Sequence, residues 1–206
     1  IAVVGASERP GSVGDTVMRN LLESDYEGRV DAVNPKHDSV HGVRTYKSVD
    51  QLDSAADLAV ICTPAKTVPA IVEQCRESGV GGVVILSAGF GESGEEGKSL
   101  AEATRRGADH FRRLRAIGPN CLGVIAPWDG LNASFAAAMP QPGRIAFVSQ
   151  SGALCTSILD WAIEERIGFS YFVSIGNMLD VDFADVIDFF AQDRHTESIV
   201  LYVESI

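Results

Sequence analysis

The stretch that most constrains the fold is the opening one, IAVVGASERPGSVG over residues 1–14. An apolar run passes straight into a Gly/Ser/Pro loop, and the loop passes into a helix expected over residues 15–23. Such a loop leaves backbone N–H groups bare at a helix start, where they and the helix dipole attract a phosphate. The spacing reads G-A-S-x-x-P-G-S-x-G, whereas the dinucleotide fingerprint G-x-G-x-x-G needs its second glycine at position 7, which here is Ser7. A phosphorylated ligand is expected, and NAD is not its default identity.

The second strand narrows the choice. In NAD-binding folds an acidic residue near its end bonds the ribose hydroxyls. Here the segment Arg29-Val30-Asp31-Ala32-Val33-Asn34-Pro35-Lys36 ends on Asn34 and Lys36, and Asp31 lies too early. A cation at the strand tip suits a phosphate on the ribose, as in NADP or the 3′-phosphoadenosine end of coenzyme A.

Along the chain, short apolar strands alternate with amphipathic helices. Strands are expected over 1–5, 30–34, 58–63, 83–87, 114–118 and 124–126, with helices over 15–23, 68–78 and 94–110. This alternation predicts βαβ crossovers and a mostly parallel sheet. An Ala/Pro/Gly-rich stretch, 127–143, reads as a boundary loop, after which the pattern restarts: strand 144–149, helix 153–165, strand 170–175, helix 183–192, strand 198–204. The expected domains are residues 1–130 and the start of a second doubly wound unit over 141–206. Ile1 begins inside an apolar strand and Ser205-Ile206 follows another, so the chain is expected to be a portion of a longer one.

Ligands of open parallel sheets sit at the carboxyl ends of the strands. The residues just past each strand of the first unit therefore form the expected pocket: the loop from Gly5 to Gly14, then Asn34 to Lys36, Thr63 to Ala65, Ser87 to Gly89 and Pro119 to Cys121. A second anion site is expected in VSQSGAL, where a strand enters a helix through Gln150, Ser151 and Gly152 and exposes helix-start amides.

Six segments taken in order, GASERPGSVG, VNPK, ICTPA, ILSAGFGE, IGPNCLGVI and VSQSGAL, resemble the NDP-forming acyl-CoA synthetases, namely the ADP-forming acetyl-CoA synthetases and, more distantly, the succinyl-CoA synthetase α subunit. The resemblance spans essentially the whole chain. It implies an α/β architecture with a Rossmann-like CoA-binding domain followed by the first part of a flavodoxin-like domain. It also implies an acid–CoA ligase that converts acyl-CoA, ADP and phosphate to acid, CoA and ATP through an acyl phosphate and a phosphohistidine, the latter outside this chain. On that basis Gly5 and Ala6 are expected to bind CoA, with the pyrophosphate on the Ser7–Gly14 loop (Ser7, Pro10, Ser12, Val13 and Gly14), the adenosine side on Asn34 and Lys36, and the pantetheine arm on Pro64, Ala65, Ser87, Ala88 and Gly89, with Asn120 and Cys121 alongside. Ser151, Gly152 and Ala153 would receive the phosphate of the phosphohistidine, and Glu204 by position matches the family's catalytic glutamate facing that histidine. The implied partners are coenzyme A, a small carboxylic acid and an ATP-grasp domain or subunit within an oligomer, with ATP, ADP and magnesium used outside this chain. The same region opens the large protein lysine acetyltransferases, so a CoA- or acyl-CoA-sensing module is the alternative. An NADP-dependent oxidoreductase is a third reading.

With Lys+Arg 17 against Asp+Glu 28, the net charge of −11 opposes a nucleic-acid surface, so an anionic ligand must be held by local groups. No apolar run approaches the roughly 18 residues of a membrane span, and the expected location is cytoplasmic. Cys62, Cys75, Cys121 and Cys155 are widely spaced, which argues against a metal site or a disulfide framework. Cys121 lacks a neighbouring cation or histidine and is expected to be a packed residue. His37, His41, His110 and His195 are expected at the surface. A branched side chain at Gly14 is expected to stand between phosphate and helix amides while the fold survives.

Overall fold

The apolar segments at the start of each βα repeat assemble into a seven-stranded sheet in the computed structural model, which describes residues 1–109 and 114–204. Its elements are β1 (Ala2–Val4), α1 (Val13–Glu23), β2 (Asp31–Val33), β3 (Ser39–Val40), β4 (Val43–Tyr46), β5 (Leu58–Ile61), α2 (Val68–Glu77), β6 (Gly82–Ile85), α3 (Gly94–Asp109) and β7 (Arg115–Ile117). The strand order is β3-β4-β2-β1-β5-β6-β7, parallel throughout except for the β3–β4 hairpin. Alternation along β1 explains the layering. Ala2 and Val4 join the apolar cluster that includes Val68, Val72 and Cys75 of α2, whereas Val3 joins that of Val17, Met18 and Leu21 of α1. His110, expected to end a helix, lies outside the described residues, as do Ser205 and Ile206.

The second sheet is five-stranded, in the order β12-β10-β11-β8-β9, built from β8 (Gly123–Ala126), β9 (Leu131–Ser134), β10 (Pro142–Ser149), β11 (Phe169–Ser174) and β12 (Ser198–Tyr202). Helix α4 (Gly152–Glu164) covers one face through Cys155, Leu159 and Ala162, and α5 (Phe183–Gln192) covers the other through Val186 and Phe190. Both sheets thus carry helices on both faces, as the α/β expectation requires.

The structure corrects several local expectations. Residues 124–126, expected in the first sheet, instead form β8, which runs antiparallel to β11 in the second sheet and pairs with β9, a strand inside the stretch expected to be a loop. Gly118, Asn120 and Gly123 adopt φ values of 95, 57 and 121°, so the chain turns sharply between β7 and β8 and leaves its first sheet there. The β3–β4 hairpin is built from short segments without strong alternation, which carry no sequence sign of it. Helix α1 starts at Val13, not Asp15, because the Ser12 hydroxyl accepts from the Asp15 N–H at 3.3 Å and caps it.

The two sheets are tied together. Backbone N–H groups of Asn177, Leu179 and Val181 donate to the carbonyls of Pro119, Gly118 and Ala116 at 2.9, 2.9 and 3.0 Å, so residues 177–181 run along the outer edge of β7. Arg115 adds ion pairs to Asp180 at 3.0 Å and Asp185 at 2.8 Å. On the opposite side, the Asn20 amide of α1 donates to the carbonyls of Ser134 and Ala136 at 2.8 and 2.9 Å.

Candidate functional site

The loop between β1 and α1 is held by close backbone approach. Gly5 has φ of 91° and donates its N–H to the Val33 carbonyl at 2.9 Å. Gly14, in the first turn of α1, lies against the Gly5 carbonyl, and a Cβ there would stand 2.1 Å from that oxygen. Gly14 has ordinary helical backbone, so its requirement is steric; a side chain would strike Gly5 rather than stand in front of the amides. The Val13 and Gly14 N–H groups belong to the helix-start set that has no intrahelical acceptor. Ser7 and Ser12 both serve the loop itself, Ser7 by accepting from the Arg9 N–H at 3.0 Å. Pro10 is exposed and Ala6 is buried.

Asn34 is a scaffold residue here. Its Nδ2 donates to the Ala6 carbonyl at 2.8 Å and its Oδ1 accepts from the Lys36 N–H at 2.9 Å, which fixes the loop and places the exposed Lys36 beside it. His41 is half-buried, not a plain surface residue. Its Nε2 lies 2.8 Å from the carboxylate of Asp15, which also pairs with Arg19 at 3.3 Å. His195 stacks on Trp128 at 4.8 Å, and His37 is exposed.

Further along the same edge, the Ser87 hydroxyl donates to the Thr63 carbonyl at 2.5 Å and the Ser87 carbonyl accepts from the Asn120 N–H at 2.9 Å. Gly89 has φ of 104° and packs close to Ala65, which follows Pro64 in the neighbouring turn. Cys121 is 3% exposed and donates to the Ile85 carbonyl at 3.3 Å; burial pushes its thiol up to about 12, so it is neutral at physiological pH.

In the second sheet, β10 leads through Ser149, Gln150 and Ser151 into α4. The Ser151 hydroxyl caps the helix by accepting from the Leu154 N–H, and Ser149 Oγ accepts from the Ser151 N–H at 2.9 Å. Gln150 Oε1 accepts from the Glu204 N–H at 2.5 Å, which brings Glu204 to the α4 start.

One cavity of about 580 Å³ gathers these pieces. Of the expected residues, Val13, Ser87, Ala88, Asn120, Cys121, Ser151, Gly152, Ala153 and Glu204 line it. Gly5, Ala6, Ser7, Pro10, Ser12, Gly14, Asn34, Lys36, Pro64, Ala65 and Gly89 are not among its lining residues. Cys62, Leu86, Leu122, Phe135, Gln150 and Thr156 also line it, beyond the expected set. Phe135 has no sequence signal, because it follows β9 in the stretch that reads as a linker. Gln150 has one: it sits between the strand and the helix cap in VSQSGAL. Among the described residues there is no group of His, Cys, Asp and Glu able to hold a metal ion, and no helix is long and apolar enough to cross a membrane.

Comparison with known proteins agrees with this organisation. Residues 1–127 match the family described as CoA binding domain, and residues 142–206 match the succinyl-CoA ligase like flavodoxin domain. The chain is 42% identical over 210 residues to the acetate–CoA ligase (ADP-forming) I subunit alpha of Pyrococcus furiosus, covering 100% of this chain and 45% of that protein. A crystal structure of a Pyrococcus horikoshii OT3 protein superposes with a TM-score of 0.95 at 44% identity, covering all of this chain and 46% of that one. The dinucleotide forming acetyl-coenzyme A synthetase 1 of Ca. Korarchaeum cryptofilum, solved with phosphate and ADP, does so with a TM-score of 0.94 at 36% identity, covering 100% and 44%. The chain thus spans about half the length of these relatives. With residues 1–127 matched by one family model and residues 142–206 by the other, the protein belongs to the CoA binding domain family, joined to a succinyl-CoA ligase like flavodoxin domain as in the NDP-forming acyl-CoA synthetases.

Proposed function

We propose that this chain is the CoA-binding and phosphohistidine-docking part of an ADP-forming acid–CoA ligase, whose whole protein converts acyl-CoA, ADP and phosphate to acid, CoA and ATP. The observation that carries the reading is the shared cavity, lined by Ser87, Ala88 and Asn120 from the first unit and by Ser151, Gly152 and Glu204 from the second. In this reading residues 1–130 form the CoA-binding unit and residues 141–206 begin the ligase-like unit, with the hairpin of β8 and β9 bridging them.

The residues fit coenzyme A in chemical terms. The Val13 and Gly14 amides at the start of α1 would receive the pyrophosphate, in a loop that the Gly5–Gly14 approach and the Ser7 and Ser12 hydroxyls hold in shape, with Pro10 exposed on it. Lys36 supplies a cation for the ribose phosphate, with Asn34 holding its backbone. Pro64, Ala65, Ser87, Ala88 and Gly89 are uncharged, which suits the pantetheine arm, and Cys121 lines the cavity with Ser87 and Ala88 as a neutral thiol. When bound, coenzyme A supplies the thiol nucleophile. The start of α4 offers amides to a phosphate, and the Glu204 carboxylate stands where it can hydrogen-bond the ring of an incoming histidine and fix its tautomer. That histidine, the ATP-grasp partner, the nucleotide and magnesium belong to sequence outside this chain. A small carboxylic acid, an oligomeric assembly and a cytoplasmic setting complete the proposal.

Calorimetric titration separates the readings. Coenzyme A is expected to bind with one-to-one stoichiometry and NADPH to show no heat of binding; the reverse result overturns the assignment.

A further inference from the structure

A closed set of hydrogen bonds joins three loops, one of which carries Ser87 and Ala88 of this cavity's lining. Glu92 Oε1 accepts from the Gly89 and Phe90 N–H groups at 2.6 and 3.0 Å. Its Oε2 accepts from Asn177 Nδ2 at 2.7 Å. Asn177 Oδ1 in turn accepts from Asn120 Nδ2 at 3.3 Å, and the Asn120 N–H donates to the Ser87 carbonyl at 2.9 Å, which returns to the loop that holds Glu92. Three donors thus converge on one carboxylate, two of them main-chain amides of the loop that carries Ser87, Ala88 and Gly89.

The position of Asn177 matters equally. It lies in the turn after β11, in the second unit, and its own N–H is fixed to the Pro119 carbonyl at 2.9 Å. The next residue, Met178, has φ of 48° and its sulfur lies 3.5 Å from Gln150 Nε2. Gln150 is the residue whose other amide atom accepts from the Glu204 N–H at 2.5 Å. A continuous path of contacts therefore runs from the Ser87–Gly89 turn, through Glu92 and Asn177, to the start of α4 and Glu204.

We propose that Glu92 is a positioning residue of the CoA site: its carboxylate, without touching the ligand, sets the Ser87–Gly89 turn and locks it to the second unit through Asn177 and Asn120. The proposal rests on the CoA reading above and deepens it. A carboxylate suits this role because it offers acceptors only, and all three facing groups are donors. The Glu92→Gln substitution keeps the size but turns an N–H₂ toward the Asn177 amide donor. Adding Asn177→Asp then restores the match, since the introduced glutamine amide can donate to one oxygen of the introduced aspartate while the other oxygen accepts from Asn120.

The test compares the parent protein with Glu92→Gln, Asn177→Asp and the double variant, all in the full chain. Hydrogen–deuterium exchange of the peptide covering residues 86–94 reads the turn without any ligand, melting temperature reports the fold, and calorimetry with coenzyme A reads the site. Glu92→Gln is expected to speed exchange at Gly89 and Phe90 about tenfold and to weaken coenzyme A about fivefold or more. The double variant is expected to return both to within about twofold of the parent. Unchanged exchange in Glu92→Gln overturns the proposal, as does faster exchange with undiminished affinity, or a double variant no better than the singles. A parent protein that fails to bind coenzyme A overturns the site reading itself, a result distinct from loss of affinity confined to the variants.

Discussion

Gly14→Ala tests the construction of the β1–α1 loop directly. The added Cβ would lie 2.1 Å from the Gly5 carbonyl oxygen and 3.4 Å from the Ser7 nitrogen, where ordinary contact begins at 3.4 Å, so the first of these must open by about 1.3 Å. Neither neighbour is the far end of a flexible side chain; the backbone turn itself must move. Overpacking of this kind costs about 1–3 kcal/mol, and alanine returns up to ~1 kcal/mol through helix propensity. A net loss of about 1–2 kcal/mol lowers the melting temperature by roughly 3–6 °C in a chain of this size. Displacing the turn also misaligns hydrogen bonds to a charged ligand, each worth about 1.5–3 kcal/mol, so coenzyme A affinity should fall at least tenfold, which is about 1.4 kcal/mol. Valine should be worse on both counts. Gly11→Ala is the control, since Gly11 lies in the same loop, a Cβ added there would meet nothing within 4 Å, and only its φ of 76° resists substitution. Melting and calorimetry on the same preparations decide the matter. Coenzyme A affinity within twofold of the parent for Gly14→Ala, with an unchanged melting temperature, refutes the steric reasoning.

Lys36→Ala should weaken coenzyme A about fivefold, the ~1 kcal/mol of an exposed ion pair, and leave dephospho-coenzyme A unaffected; equal losses for both ligands would move the ribose phosphate elsewhere. Burial pushes the thiols of Cys75 and Cys121 up to about 12 and that of Cys155 up to about 11, so these three should resist iodoacetamide in native protein at pH 8, whereas urea-unfolded protein should be alkylated at all four cysteines. Rapid native labelling of Cys121 would restore a nucleophilic role. Burial acts to raise the Glu92 carboxyl, but hydrogen bonds from the Gly89 N–H, its own N–H, the Phe90 N–H and the Asn177 amide together outweigh it and hold the group below the usual carboxylate range. A carboxyl depressed in the folded state contributes stability that is fully present above its unfolded value near 4.5 and is lost as pH falls through the folded one. Stability plotted against pH should therefore decline more steeply on the acid side for the parent than for Glu92→Gln, and identical curves would show that Glu92 is not linked to folding.

Much of this architecture can be read from the residues because parallel strands buried on both faces give short apolar runs, and loops at their carboxyl ends concentrate Gly, Ser and Pro. The runs AVV, LAVI and GVVI all form central strands of the first sheet. What escapes such a reading is long-range choice. Nothing in GVIA reveals that β8 crosses to the other sheet and pairs antiparallel, because period and apolarity are the same for either partner. In the sequence the side chain of Asn34 looks free to meet a ligand, yet both ends of its amide are occupied by backbone groups of its own fold. Glu92 lies three residues after Gly89, close enough to suggest a local turn contact, but its tie to Asn177 spans 85 positions and has no local signature.

The strip of chain at residues 177–181 has a practical bearing on how the protein can be dissected. By occupying the carbonyls of Ala116, Gly118 and Pro119, it serves the first unit as an extra border. An expression boundary placed at residue 130 would strip that border away and leave a raw margin with main-chain acceptors pointing outward, the kind of surface that recruits neighbouring molecules into clumps. Fragments meant to isolate the first unit should therefore keep the downstream residues through Val181, or replace β7's lost companion with a covalently attached strand.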